Sequence, residues 1–192
     1  MKDNLSRIVS SEAEELILVD ADDTVSGSLD KASCHDGRGI LHRAFSLFIF
    51  DQRGRLLLQQ RSADKRLWPL YWSNSCCSHP RVGESMEKAT ARRLQDELNI
   101  RAQLEFVYKF TYQASYETLG SEHELCWVYL GRVEQPVLAN RHEIAATRFL
   151  GVAELRKEMA TVPEHFTPWF KLEWQRLEND HASVLGKYLT PL

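Results

Sequence analysis

Two segments, Ala44 to Phe50 and Arg55 to Gln60, flank the turn signal Asp51-Gln52-Arg53-Gly54. The first is strongly strand-like and the second returns as its partner, so the middle of this 192-residue chain is committed to a β-hairpin. Leu16-Ile17-Leu18-Val19 reads as an earlier buried strand that ends at the Asp20 to Asp23 turn. Residues 23–42 form a polar, glycine-containing loop with Lys31, Cys34, His35 and His42. A long loop runs from Arg61 to Pro80, and loops of that length in a packed domain usually carry function. Glu84 to Leu98 has helical character: Ala89, Leu94 and Leu98 give it an apolar side, with Arg92, Arg93, Asp96 and Glu97 elsewhere. Ala102 to Tyr112 and Glu124 to Val133 read as strands joined by polar Glu117 to His123. Two helices, about Val152 to Met159 and Thr167 to Glu178, close the chain, with Pro163 and Pro168 punctuating them. Strands, a central helix, more strands and terminal helices together predict an α+β fold, a mixed sheet with flanking helices. The expected organisation is one domain over 1–192, with residues 1–13 as a loose tail or an edge helix.

The bulk numbers close off several classes. A net charge of −3 gives no support for a nucleic-acid or anionic-membrane partner. No apolar run reaches transmembrane length, and Met1 to Ser6 lacks the apolar core of a signal peptide. The expected compartment is therefore the cytoplasm. Cys34, Cys76, Cys77 and Cys126 contain no CxxC pair and are expected as free thiols.

Chemistry concentrates in a few places. His35, His42 and His79 lie in polar loops. Glu122 and Glu124 are one residue apart, so an extended backbone projects both carboxylates from one face and turns His123 away. Three imidazoles and two carboxylates would make a mixed nitrogen and oxygen site suited to Zn²⁺, Mn²⁺ or Mg²⁺. The bland alternative is surface histidines beside an acidic loop. Cys77, with a histidine two residues on, could have a lowered pKa or act in proton transfer, or it could be a small buried hydrophobe. Lys31, Arg61, Lys65, Arg66 and Arg93 form a basic set of the kind that attracts diphosphates, although most such residues are simply solvated.

The helix resembles part of the Nudix box, with Glu84, Arg92, Leu94 and Glu97 at matching positions. Ser78, Arg93, Asp96 and Asn99 depart from that pattern. Arg93 in place of an acid removes metal-binding charge, so the match resembles a Nudix fold adapted away from hydrolysis. Gly27-Ser28-Leu29-Asp30-Lys31, Arg43-Ala44-Phe45-Ser46, Asn74-Ser75-Cys76-Cys77-Ser78-His79-Pro80, Glu122-His123-Glu124 and Pro168-Trp169 are similar to the type 1 isopentenyl-diphosphate isomerases.

That resemblance implies a Nudix-like core with an extra N-terminal strand and loop and added C-terminal helices. It implies the shift of an allylic double bond in a small diphosphate substrate, with Cys77 and Glu124 as the proton-transfer groups and Tyr112 hydrogen-bonding near the acid. Trp169 would face the cationic intermediate and Trp72 would form a second wall. His35, His42, His79, Glu122 and Glu124 would hold one divalent metal (Zn²⁺, Mn²⁺ or Mg²⁺), and Glu97 a Mg²⁺ bridging to the diphosphate. Lys31, Arg61, Lys65 and Arg93 would contact the diphosphate. Cys76 should point away from the substrate if its strand is extended. A monomer is the default expectation. A Nudix hydrolase of a nucleoside diphosphate derivative and a silent diphosphate-binding module are the competing readings.

Overall fold

In the computed structural model, which describes residues 7–190, the two predicted strands lie at the centre of a mixed sheet, but they do not form the expected hairpin ladder: they pair only at Phe50 opposite Leu56, because each takes other partners along its length. The strands are β1 (Glu15–Val19), β2 (Val25–Asp30), β3 (His42–Phe50), β4 (Leu56–Arg61), β5 (Trp72–Ser73), β6 (Cys76–Ser78), β7 (Leu104–Tyr116), β8 (Gly120–Arg132) and β9 (Ile144–Leu150). The helices are α1 (Lys31–His35), α2 (Met86–Leu98), α3 (Val152–Thr161), α4 (Pro168–Asn179) and α5 (Ala182–Leu189). β3 runs parallel to β8 from His42 opposite Glu124 to Phe50 opposite Arg132. Its other edge pairs antiparallel with β6, placing Ser46 opposite Cys77 and Leu47 opposite Cys76. β7 and β8 form a long antiparallel hairpin, while β4 pairs with β5 and β9.

Side-chain alternation gives β3 two apolar faces. Ala44, Phe48 and Phe50 point into a core with Phe166, Phe170 and Trp174, the last two from α4. Phe45, Leu47 and Ile49 point into a second core with Ala89, Leu94 and Leu98 of α2. Both faces of this strand are thus removed from water, which is why it reads as one continuous apolar run. Ser46 is the polar exception on the α4 side, and it is buried.

α2 starts at Ser85, whose side chain accepts from the Lys88 amide, and stops at Asn99 in the left-handed region (φ 54°). Just before it, Glu84 grips Arg92 with two hydrogen bonds of 2.8 Å. This pair fixes the approach of the loop that carries His79, whose carbonyl also accepts from Arg92.

Several expectations need correction. The polar loop 23–42 contains β2 and α1. Most of β2 is solvent-exposed, so no burial pattern marked it, and its backbone pairing with β1 holds it. The polar connector 117–123 shrinks to residues 117–119, because both strands of the β7–β8 hairpin continue past the apolar residues. β9 and α5 were not foreseen; β9 is defined by its partner β4 rather than by its own sequence. Residues 1–6 of the expected tail lie outside the described residues. Residues 7–13 form no helix; the Arg7 and Val9 carbonyls accept from Asn140 and Arg93. Among the described residues no helix is long and apolar enough to cross a membrane.

Candidate active site

The register of the sheet brings the candidate residues together. His42 and Glu124 are direct neighbours across β3 and β8, and Tyr112 faces Glu124 across β7 and β8. β6 carries Cys77 on the same face as Ser46, while His79 follows at its end. α1, folded over the edge of β8, delivers His35. α4 covers this face and brings Trp169.

The five metal-type residues form one cluster. One donor atom from each of His35, His42, His79, Glu122 and Glu124 lies within 4.8 Å of all the others. His42 Nε2 is 3.1 Å from His79 Nε2, which is 3.0 Å from Glu124 Oε1. His35 Nε2 is 2.7 Å from Glu122 Oε2. The outer ring nitrogens of His35 and His42 each lie 2.7 Å from a backbone carbonyl, of Lys31 and Ile40. A carbonyl can only accept, so each Nδ1 carries a proton, and in the neutral form of each ring Nε2 would present its lone pair inward. His42 Nε2 faces His79 Nε2 in a buried setting beside two carboxylates, a place where a cation would be well held. The donor set fits a divalent metal.

Electrostatics agree with that fit. Burial pushes the His79 imidazole down to about 4 against the opposing pull of Glu124, so it is a neutral, ligand-ready ring at pH 7. Burial also opposes charge on His35, but neighbouring Glu122 overrides it and lifts the ring to about 9. The Glu124 carboxylate would be raised by burial, yet its contacts with His42 and His79 hold it well below the usual range.

Beside the cluster is a cavity of about 80 Å³. That exceeds the roughly 10–15 Å³ one water requires, so a small organic group can enter. Its wall has two chemistries. Cys77, Tyr112, Glu124, Trp169 and Leu67 form an aromatic and reactive part. Lys31, Arg61, Lys65, Arg66 and Arg93 form a cationic part. Tyr112 donates to Glu124 Oε2 at 2.7 Å. The Cys77 thiol donates to Asn74 Oδ1 at 2.7 Å and accepts from the Trp169 indole N–H at 3.2 Å. Burial and the charges of Glu173 and Glu124 push this thiol up, opposite to the lowered value its histidine neighbour suggested. Cys76 is fully buried in the other core, donates to Glu97 at 3.3 Å and does not line the cavity, as the extended strand required.

Arg61 shapes the wall as well as charging it. Its guanidinium donates to the Leu67 and Trp68 carbonyls and lies 5.2 Å from the Trp169 ring centre. Trp68 and Leu70 both sit in the left-handed region (φ 47° and 64°), a strained conformation for such side chains. The Arg61 clamp helps to hold that bend.

One expected wall residue is placed elsewhere. Trp72 does not line the cavity; its ring faces another surface, with the Arg148 guanidinium 4.0 Å from its centre. The alternation of the short strand β5 turns it away, and Trp68 packs against Trp169 instead. Glu97, expected at a separate Mg²⁺, lies outside the His/Glu cluster and is buried against Arg93, which approaches it at 2.6 Å.

Sequence reasoning missed Glu143. It is 3% exposed, and one of its oxygens bonds to Lys65 and lies 3.4 Å from Arg93. Burial would raise this carboxyl, but the two cations override that and lower it. Removing one member of such a group leaves buried charge uncompensated. Glu143→Gln is therefore expected to lose about 3–5 kcal/mol of stability in urea titrations at pH 7. The unfolded carboxyl titrates near 4.3, so the contribution is complete above that pH and is lost as pH falls through the lower folded value. The deficit of the variant should shrink in that acid window; an equal deficit at all pH values would remove the charge-pairing account.

A model of the NUDIX domain matches residues 40–170. Isopentenyl-diphosphate Delta-isomerase 1 of Photorhabdus laumondii is 39% identical over 174 residues, covering 90% of this chain and 99% of that protein. The Isopentenyl-diphosphate Delta-isomerase of Serratia proteamaculans is 46% identical over 157 residues, 82% of this chain and 87% of that protein. Among solved structures, a Deinococcus radiodurans protein superposes with a TM-score of 0.63 at 22% identity, over 77% of this chain and 90% of that one, a likeness of fold alone. The chain belongs to the NUDIX family and, within it, to the isopentenyl-diphosphate Delta-isomerases.

Proposed function

We propose that the chain interconverts isopentenyl and dimethylallyl diphosphate, with Cys77 and Glu124 as the two proton-transfer groups. The observation that carries this assignment is their placement: both line one cavity, one hydrogen-bonded by Trp169 and the other by Tyr112, beside a cationic wall. The reaction adds a proton to an alkene carbon and removes another from an allylic carbon. An alkene is a weak base, so the acid must be held in place and water kept out. The Trp169 ring offers a face to the cationic carbon, worth about 0.5–2 kcal/mol. Lys31, Arg61, Lys65 and Arg93 take the diphosphate. Glu97 stays paired with Arg93 in this reading.

His35, His42, His79, Glu122 and Glu124 would hold the divalent metal. When bound it would polarise Glu124 and fix its orientation. The same nitrogen and oxygen set accepts Zn²⁺, Mn²⁺ or Mg²⁺.

The test is conversion of isopentenyl diphosphate followed by NMR in D₂O. Dimethylallyl diphosphate carrying deuterium is expected; binding without conversion or exchange would sink the reading. Released phosphate from nucleoside diphosphate derivatives would favour the hydrolase instead. Arg93, which departs from the box, engages Glu97 in an ion pair, which speaks against that alternative.

Metal loading gives a separate check. A metal takes the neutral ring, whereas Glu122 keeps the metal-free His35 protonated at pH 7.5. Uptake of Zn²⁺ or Mn²⁺ is thus expected to release about one proton per protein. Calorimetry in buffers of different ionisation enthalpy reads it. Buffer-independent heats would mean that His35 is not a ligand.

A further inference from the structure

Glu173 is fully buried, one helical turn after Trp169 on the same face of α4. Its Oε1 accepts from Cys126 Sγ at 3.4 Å, and its Oε2 has no hydrogen-bond partner. The Cys126 sulfur is also 3.4 Å from Ser46 Oγ, so Glu173 and Ser46 meet on one sulfur, and Ser46 is near enough to oppose the rise of the Glu173 carboxyl. Ser46 Oγ in turn lies 3.4 Å from Cys77 Sγ, its cross-strand neighbour. No lysine, arginine or histidine among the described residues pairs with Glu173. A buried carboxylate without a cation is heavily penalised by lost hydration, and taking up a proton removes that cost.

The Cys77 sulfur already has one acceptor, Asn74, and one donor, Trp169. What Ser46 contributes depends on what Glu173 asks of it. A neutral carboxyl has an O–H to give. If Ser46 accepts that hydrogen, its own hydroxyl hydrogen is free to turn to sulfur.

Resting on the isomerase reading, we propose that Glu173 is a positioning residue for Cys77: as a neutral acid it donates to Ser46 and so aims the Ser46 hydroxyl at the sulfur. The aligned donor stabilises negative charge on sulfur whenever the thiol proton is away. Glu173 touches neither substrate nor reacting atoms and acts through Ser46.

The arrangement has a pH signature. Burial lifts the Glu173 carboxyl to about 8, with Glu124 adding to the rise and Ser46 and Cys126 opposing it. Above that pH the carboxylate becomes an acceptor, turns the Ser46 hydroxyl to itself and adds a negative charge near Cys77. The facing groups are Ser46 from β3, Cys77 from β6, Tyr108 from β7, and Glu124 and Cys126 from β8. Burial pushes Tyr108, Cys126 and Cys77 upward, so they stay neutral there. On α4 itself Arg176 lies over the Phe110 ring.

The experiment compares metal-loaded wild type with Glu173→Gln and Glu173→Met. Methionine removes the donor, and kcat is expected to fall about 10- to 100-fold with KM little changed. Glutamine keeps an N–H for Ser46 and should restore at least about tenfold of that loss. The wild-type kcat should decline as pH rises through about 8, and the glutamine variant should lack that decline. Infrared spectra give a readout apart from activity. Wild type should show the carbonyl stretch of a protonated carboxyl that shifts in D₂O, is absent from Glu173→Gln and fades as pH rises. The same alkaline decline in both proteins, or no carboxyl band lost in Glu173→Gln, would overturn the proposal. If the methionine variant does not fold, the glutamine pH profile and the band still decide. Wild type without isomerase activity would count against the functional reading, while the band would still decide whether Glu173 is neutral.

Discussion

Cys77→Ala is expected to lose at least about 10³-fold in kcat, in line with removal of a positioned proton-transfer group. It should still fold and bind diphosphate. Cys77 is the cysteine whose side chain lines the cavity; Cys34, Cys76 and Cys126 are buried and absent from its wall. Deleting its sulfur leaves the Asn74 carbonyl and the Trp169 N–H without that partner, a cost of about 1–3 kcal/mol. Cys77→Ser separates this from the chemistry. A hydroxyl keeps both partners, but it is a much weaker acid than a thiol, so activity should remain low while stability recovers. Cys76→Ala is the control from the opposite face. It should shift stability by about 1 kcal/mol and leave the reaction in place. Full conversion by Cys77→Ala, or loss of conversion by Cys76→Ala in a folded protein, would reverse the assignment of the two thiols.

Much of this was legible because the signals were local. The two apolar strands around the Asp51 to Gly54 turn announce themselves, although not their partners, which lie far away in sequence, and α2 announces itself in its spaced alanine and leucines. The i, i+2 rule turned Glu122 and Glu124 to one side and His123 to the other, where it lies 3.3 Å from the Gly39 carbonyl. The same rule separated Cys76 from Cys77. What could not be read depends on partners far away in sequence. Glu143 is significant only because Lys65 and Arg93 converge on it. The resemblance implied Trp72 as a wall, but the direction of a two-residue strand is set by β4, not by Trp72. Glu173 carried one usable hint, its four-residue spacing from Trp169. Ser46 carried another, a lone hydroxyl in the otherwise apolar run Ala44 to Phe50. Neither hint has meaning until β6 lies beside β3 and α4 covers them both.

The second proton-transfer group is expected to be at least as sensitive. Glu124→Gln should lose about 10³-fold or more in kcat and should also weaken metal binding. Three roles converge on this carboxylate. It accepts from Tyr112 on Oε2, it meets His79 at 3.0 Å and His42 at 3.7 Å on Oε1, and it lines the cavity. An amide of the same shape keeps the Tyr112 contact but brings neither negative charge nor a titrating proton. It therefore removes a ligand charge and a proton-transfer group together, and activity alone cannot apportion the loss. His42→Ala makes the separation. His42 is fully buried behind the cavity wall, so its loss should weaken the metal and leave the Glu124 carboxylate in place. Excess Mn²⁺ should then restore part of the activity of His42→Ala and little of that of Glu124→Gln. Metal-dependent protection against thermal unfolding, read alongside kcat, supplies the metal affinities independently. If saturating Mn²⁺ restores Glu124→Gln fully, Glu124 serves only as a ligand and another group must move the proton.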